Sequence, residues 1–289
     1  MANITDAQKK SYQDVGTVHV PGAVTAEKVG QLTKIIDDVI ERVRSGKMPQ
    51  RSEDDPVFLD IEIEDHDGYV RIINVMPRVP SIKDWLFSTN LPDIVADLIG
   101  ADSLRIWLDG TFSKVGSSSK TATPWHTDES TFSLQGEHLP SLWIGLTNVD
   151  EDNSPLITLA GSHKDKHRYH SPYSPQNVDL PSDYRPWSAL MAQAEDPDAD
   201  IRVWTAKAGD ILLIHPKTIH AALPRTSDDG GRRLAFTIRW VGSDVVWNPN
   251  PLTMLAPFDS NPLMERGKPP PEELFPVVWR RGATVTTND

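Results

Sequence analysis

The chain has 289 residues, 38% of them hydrophobic, and a formal net charge of −12 at pH 7. That is long enough for one large globular domain with a sizeable core and too apolar for a disordered chain. The acidic balance disfavours nucleic acid and anionic membrane surfaces as partners, and the absence of cysteine excludes disulfides, zinc–thiolate sites, iron–sulfur clusters and cysteine nucleophiles.

Met1 to Asp14 is polar and has no apolar stretch, so no signal peptide is predicted. No apolar run approaches the roughly 18 residues of a membrane span, and a cytoplasmic enzyme is the default reading. Thr25–Arg44 reads as an amphipathic helix. Val29, Leu32, Ile36, Val39 and Val43 recur at helical spacing, Ile35 and Ile40 widen the stripe, Thr25 caps the start and Gly46 closes the end. A short helix is predicted over Pro92–Ile99, stopped by Gly100, with Ile94, Val95, Leu98 and Ile99 on its buried face.

The pattern then changes to strands. Candidates are Tyr69–Met76, Leu104–Phe112, Ser141–Val149, Leu156–Leu159, Ile201–Thr205, Asp210–Ile214 and Arg233–Val241. They are rich in Ile, Val, Trp and Thr and are bounded by Gly, Pro, Asp or Asn. Leading helices followed by many short strands predict a β-sandwich or jelly roll with helices packed outside. The organisation expected is one domain over residues 1–289: a helical part over about 1–100, a β-barrel core over about 104–241 and a proline-rich tail over 244–289. The long polar segment Lys164 to Asp200 reads as a lid or binding loop, or as a surface insertion. Phe275, Val277, Val278 and Trp279 suggest that the tail packs on the body or on a partner subunit, which leaves room for a homodimer.

The chemistry centres on Trp125-His126-Thr127-Asp128. On a strand, residues two apart share a face, so one imidazole and one carboxylate converge. His220 is the best third ligand. Two histidines and one carboxylate leave open positions on a metal, the arrangement of the facial triad in non-haem iron(II) oxygenases. Beyond His220 lies Gly230-Gly231-Arg232-Arg233, opening a strand through Trp240. Either arginine has the planar fork that binds a carboxylate bidentately.

His126-x-Asp128, then His220, then Arg233 resembles the phytanoyl-CoA dioxygenase-like family of 2-oxoglutarate oxygenases. Gly161-Ser162-His163, Ala208-Gly209-Asp210 and the arginine strand ending in Trp240 look like that family as well, and the resemblance covers roughly Leu104 to Val241. It implies a double-stranded β-helix, a cupin-like jelly-roll barrel. It implies Fe(II) on His126, Asp128 and His220, and 2-oxoglutarate as co-substrate with O2. Arg233, seven residues before Trp240, would hold the distal carboxylate. Trp143 matches a family tryptophan near the co-substrate, and Arg78 is a looser match to a basic residue of the same pocket. The implied reaction converts 2-oxoglutarate to succinate and CO2 while a small-molecule substrate is oxidised, most simply by hydroxylation of a metabolite or natural product. Asp128 argues against a halogenase, in which a small residue replaces the carboxylate. One departure stands out: the hydroxyl residue often found two positions after the distal histidine is Ala222 here, and Thr237 is the candidate substitute.

Other features read more simply. His163, His167 and His170 lack a carboxylate in a familiar pattern, His215 is expected to face away from His220 as a structural residue, and Glu53-Asp54-Asp55 and Asp228-Asp229 read as solvated loops. Two competing functions are kept: a metal-dependent isomerase or hydrolase on a similar barrel without 2-oxoglutarate, and a non-catalytic binding module.

Overall fold

The computed structural model describes residues 4–48, 61–66, 68–174, 178–249, 252 and 261–282. Its first helix, α1 (Asp6–Val15), is one that periodicity does not reveal, because Tyr12 is its sole buried residue. The helix is set locally: the Thr5 hydroxyl accepts from the Gln8 amide and the Gln8 side chain accepts from the Thr5 amide, a capping box. Helix α2 (Ala26–Arg44) begins at the Thr25 cap as the sequence predicts and buries Val29, Leu32, Ile36, Val39 and Ile40. It ends in a Schellman turn, with the Lys47 amide on the Arg42 carbonyl, the Gly46 amide on the Val43 carbonyl and Gly46 at φ 67°. Helices α3 (Pro80–Phe87) and α4 (Leu91–Ile99) follow, α4 stopping at the left-handed Gly100.

The strands in chain order are β1 (Thr17–Val20), β2 (Glu62–His66), β3 (Tyr69–Ile73), β4 (Ser103–Val115), β5 (Thr123–His126), β6 (Leu134–Gln135), β7 (Ser141–Gly145) and β8 (Leu156–Leu159). They continue with β9 (Arg168–Tyr169), β10 (Tyr184–Arg185), β11 (Ile201–Trp204), β12 (Ile211–Ile214), β13 (His220–Ala222), β14 (Arg232–Gly242), β15 (Val246–Trp247) and β16 (Val277–Arg280), with α5 (Trp187–Ala194) between β10 and β11. A large antiparallel sheet runs β1-β12-β7-β14-β4-β3-β2, with β16 also on β4; a smaller antiparallel sheet runs β11-β8-β13-β5. Together they form the double-stranded β-helix.

The large sheet is covered on both faces, which is why β7 and β12 read as nearly continuous apolar runs. Leu142, Ile144, Ile211, Leu213, Leu234, Phe236, Ile238 and Trp240 point outward, into one core with Leu32 and Ile36 of α2 and with α3 and α4. Burial of each such side chain contributes roughly 1.5–3 kcal/mol. The alternate positions point into the barrel, and Trp143, Leu212, Ile214 and Ala235 cluster there with Leu156 and Ala222 of the small sheet.

Two motifs that flank the triad in the sequence turn out to be joints. Gly209 sits at φ 95° with the Val24 carbonyl where a Cβ would be, and Asp210 accepts from the Gly22 and Lys207 amides. Ser162 accepts from the Ile219 amide at 2.9 Å, fixing the chain just before His220.

Several boundaries differ from expectation. The strand expected over Tyr69–Met76 ends at Ile73, because Asn74 takes φ 64° and a 3-10 turn follows at Met76–Arg78, its Val75 and Met76 amides held by the Asp109 carboxylate. Ser141–Val149 stops being a strand at Gly145, and Leu104–Phe112 extends to Val115. The segment from Lys164 to Asp200 contains β9, β10 and α5. The tail returns to its own body: Phe275 stacks on Trp107 at 5.0 Å and β16 pairs with β4. Glu53-Asp54-Asp55 lies outside the described residues. Asp229 is more than a solvated loop residue, since it pairs with the fully buried Arg225.

Candidate active site

The register of the large sheet defines what faces the barrel interior. Across β3, β4 and β14 one row is Tyr69, Lys114 and Arg233; a later row is Ile73, Gly110 and Thr237, continuing to Trp143 on β7. Arg239 and Ser141 are paired at the end nearer the triad. From the small sheet, β13 places His220 beside His126 of β5. Between the sheets lies a cavity of about 370 Å³ whose lining includes His126, Asp128, His220, Trp143, Arg233 and Arg239.

The triad is compact. One nitrogen from each histidine and a carboxylate oxygen of Asp128 lie within 4.8 Å of one another, and among the described residues this is the one group with metal-ligand spacing. His126 Nε2 is 3.7 Å and His220 Nε2 3.9 Å from the same Asp128 Oδ1. Each imidazole is oriented from behind: Nδ1 of His126 donates to the Pro124 carbonyl at 2.8 Å, and Nδ1 of His220 to the Thr218 carbonyl at 2.9 Å. That fixes the tautomer and leaves both Nε2 lone pairs facing the shared point. Burial, and secondarily His126, pushes the His220 pKa down to about 4, so its imidazole is neutral and able to ligate. Burial alone would raise the Asp128 carboxyl, but Arg239 and the two imidazoles outweigh it and hold it well below the usual carboxylate range. The Ser141 hydroxyl donates to Asp128 Oδ2, which leaves Oδ1 for a metal.

Asp128 is not on the strand, as the two-residue spacing suggested. It opens the 3-10 turn Asp128–Thr131, and the same-face relation survives because Thr127 is extended at φ −114° and ψ 142°. Chemically, two imidazole nitrogens and one anionic oxygen, buried and converging, suit a divalent iron with positions left open.

At the other end of the cavity stands Arg233, 2% exposed. Its guanidinium lies over the Trp143 ring at 5.1 Å, and its Nε and Nη2 have no hydrogen-bond partner among the described residues. Arg232, by contrast, points out to an ion pair with Asp37 at 2.6 Å. Alternation along β14 separates the two.

Arg78 does not line the cavity. The turn at Asn74 carries it out of the β3 face, where its guanidinium donates to the Asn74 carbonyl at 3.4 Å. The basic residue that β3 does place in the wall is Arg71, paired with Glu62 at 2.8 Å. Ala222 lines the cavity and supplies no hydroxyl; Thr237 lines it as well, but its hydroxyl is engaged with the Gly110 carbonyl at 3.2 Å and with Arg239. His215 pairs with Glu137 at 3.1 Å and lies tilted against the His163 ring at 4.9 Å, outside the site. The turn closed by the Thr218 amide on the His215 carbonyl, rather than strand alternation, separates it from His220. His167 pairs with Asp165.

Some cavity residues were readable but missed. Arg239 follows Arg233 by an even number of positions on one predicted strand, and period two puts both inside. Tyr69 and Arg71 follow in the same way from the predicted β3. Tyr173, which packs edge-on to His126 at 5.9 Å, comes from the 164–200 segment, and no periodic signal marks it.

A double-stranded β-helix with this buried triad defines a non-haem iron, 2-oxoglutarate-dependent enzyme, with O2 as the usual further co-substrate. The chain belongs to the phytanoyl-CoA dioxygenase (PhyH) family, whose profile matches residues 12–234. Among solved structures it is similar to SnoK, a non-heme alpha ketoglutarate dependent carbocyclase from nogalamycin biosynthesis, at 21% identity and TM-score 0.70 over 96% of this chain and 97% of that one. It is similar to SnoN, the epimerase of the same biosynthesis, at 16% identity and TM-score 0.65 over 98% of both chains. SnoN has also been solved with Fe3+, alpha ketoglutarate and nogalamycin RO. EctD from S. alaskensis is similar at 18% identity and TM-score 0.62 over 88% of this chain and 82% of its own. No curated protein matches the sequence. No helix among the described residues is long and apolar enough to cross a membrane.

Proposed function

We propose that this enzyme hydroxylates an aliphatic C–H of a small-molecule metabolite or natural product, with His126, Asp128 and His220 as the iron ligands and Arg233 as the anchor of the distal carboxylate of 2-oxoglutarate. The observation that carries the reading is the buried Arg233 guanidinium, with two nitrogens lacking a partner and Trp143 beneath it. A buried cation without an anion is costly unless a ligand completes it. A metal-dependent isomerase or hydrolase on the same barrel has no use for it, and a binding module has no use for the oriented triad.

Bound iron, with O2 and the 2-oxo acid, supplies the oxidising power, and 2-oxoglutarate leaves as succinate and CO2. The chain supplies the rest. His126 and His220 present fixed lone pairs, and Ser141 turns Asp128 so that one oxygen stays available. Trp143 and Arg233 fix the far end of the co-substrate. Tyr173, Phe132, Arg71, Glu62 and Glu64 line the cavity where the substrate C–H is held and water excluded.

A second outcome at the same site is ring closure or epimerisation, favoured by the near full-length likeness to a carbocyclase and an epimerase. Product mass separates the three: hydroxylation adds one oxygen, ring closure removes two hydrogens and epimerisation changes nothing. The activity test precedes any substrate. Protein loaded with Fe(II) and given 2-oxoglutarate and O2 is expected to release succinate slowly with matching O2 uptake, and His220→Ala to abolish both. Iron-loaded protein that yields no succinate, alone or across a metabolite panel, would overturn the proposal.

A further inference from the structure

Lys114 is 1% exposed and stands directly opposite Arg233 in the β4–β14 ladder, on the barrel-facing side, with Tyr69 of β3 on its other flank; unlike Arg78 it shares its row with two cavity-lining residues, Arg233 and Tyr69, but its own side chain is set behind the wall they form. Neighbours in such a row have Cβ atoms roughly 5 Å apart. Its Nζ donates to the Ser154 hydroxyl at 2.8 Å, and that hydroxyl in turn donates to the Leu223 carbonyl at 2.6 Å. Among the described residues Lys114 is held by the Ser154 hydroxyl rather than by a carboxylate, and Arg233 Nε and Nη2 have no hydrogen-bond partner. The groups facing Lys114 are the Arg233 guanidinium and the Tyr69 ring, 5.9 Å from Nζ. Arg225, on the chain between β13 and β14, is engaged elsewhere: it hydrogen-bonds Asn153 and is paired with Asp229.

Two adjacent buried basic groups with no anion form an incomplete electrostatic arrangement. From this geometry we propose that Lys114 is a second carboxylate-binding residue, which shares the distal carboxylate of 2-oxoglutarate with Arg233 and takes up a proton as the co-substrate binds. The inference rests on the placement of 2-oxoglutarate above. The flexible four-carbon stem lets Nζ swing from Ser154 towards a carboxylate held by Arg233, while the guanidinium remains planar over Trp143. Burial first, and Arg233 second, lowers the Lys114 pKa to about 6, so the amine is largely neutral at pH 7 in the empty site. A carboxylate arriving between the two groups favours the ammonium form and raises that pKa. The sign follows: above pH 6 the free protein must gain a proton to bind, so affinity falls as pH rises, by up to about tenfold per pH unit.

The test is an anaerobic titration of Fe(II)-loaded protein with 2-oxoglutarate and with 2-oxobutyrate, which has the same chelating head and no distal carboxylate, between pH 7 and 8.5. Wild type is expected to lose 2-oxoglutarate affinity with pH more steeply than 2-oxobutyrate affinity. Calorimetry in buffers of different ionisation enthalpy should show close to one proton taken up per 2-oxoglutarate. Lys114→Met is expected to weaken 2-oxoglutarate at pH 7 by at least about tenfold, to remove the extra pH slope and to leave 2-oxobutyrate binding unchanged. A wild-type protein with no proton uptake overturns the inference without recourse to any variant. So does a Lys114→Met protein that keeps wild-type affinity and slope, or one that loses both ligands equally. Arg233→Met tests the underlying placement separately: if that variant binds 2-oxoglutarate as wild type does, the distal-carboxylate site itself is wrong and the role of Lys114 falls with it.

Discussion

Replacing Arg233 with methionine should move stability and co-substrate affinity in opposite directions. The guanidinium is 2% exposed and lacks partners for Nε and Nη2. Burial pulls its pKa from 12.5 to about 10, which corresponds to roughly 3 kcal/mol against the charged form. The Trp143 ring at 5.1 Å returns part of that, on the order of 1–2 kcal/mol. Methionine has a similar length, keeps contact with the ring and carries no charge. The empty variant should therefore be more stable by roughly 1–2 kcal/mol, a rise in melting temperature of a few degrees for a chain of this size. The same change removes a buried, bidentate partner of a carboxylate, worth about 2–5 kcal/mol. The apparent affinity for 2-oxoglutarate should drop by at least about 30-fold. Thermal melts of the metal-free protein and anaerobic titrations of the iron-loaded protein read the two effects. A variant that melts lower and binds 2-oxoglutarate normally would show that Arg233 is a structural residue satisfied in the native fold, and the reasoning would fail.

Two further predictions concern the frame around the site. Gly209→Ala places a methyl group 2.3 Å from the Val24 carbonyl at a positive φ, so a loss of at least about 2–3 kcal/mol is expected in chemical denaturation; a loss under about 0.5 kcal/mol would show that the joint between α2 and β12 is loose. Lys114 gives a pH signature in the metal-free protein. Its folded pKa of about 6 lies below the ordinary 10.5, so between those values the unfolded chain binds more protons and stability rises with pH. Urea midpoints for wild type should therefore increase from pH 7 to pH 9 relative to Lys114→Met, and identical pH profiles would refute a neutral buried lysine.

Much of the barrel was legible because both of its determinants are local. β8 was read to the residue, and β14 to within one residue at each end, from apolar runs bounded by turn formers. Helix α2 was read from a stripe and a cap. What escaped was local structure without periodicity. Helix α1 depends on a capping box and one buried tyrosine, and β5 and β13 are too short to show alternation although they carry His126 and His220. The triad was readable because Thr127 keeps the chain extended between His126 and Asp128. Arg78 misled because sequence proximity to a predicted strand says nothing about Asn74 ending it at a positive φ. Lys114 lay past the predicted end of β4, and its pairing with Arg233 depends on a register between strands far apart in sequence.

The central question is whether the triad and Arg233 assemble a chelated 2-oxo acid. Metal-free protein given Fe(II) and then 2-oxoglutarate under anaerobic conditions should develop the weak visible charge-transfer band of an iron–2-oxo acid chelate. The band should be absent in Asp128→Ala and weakened at the same 2-oxoglutarate concentration in Arg233→Met. No band, with iron binding independently confirmed, would contradict the assignment and leave a metal-dependent isomerase or hydrolase as the better reading of the same three ligands.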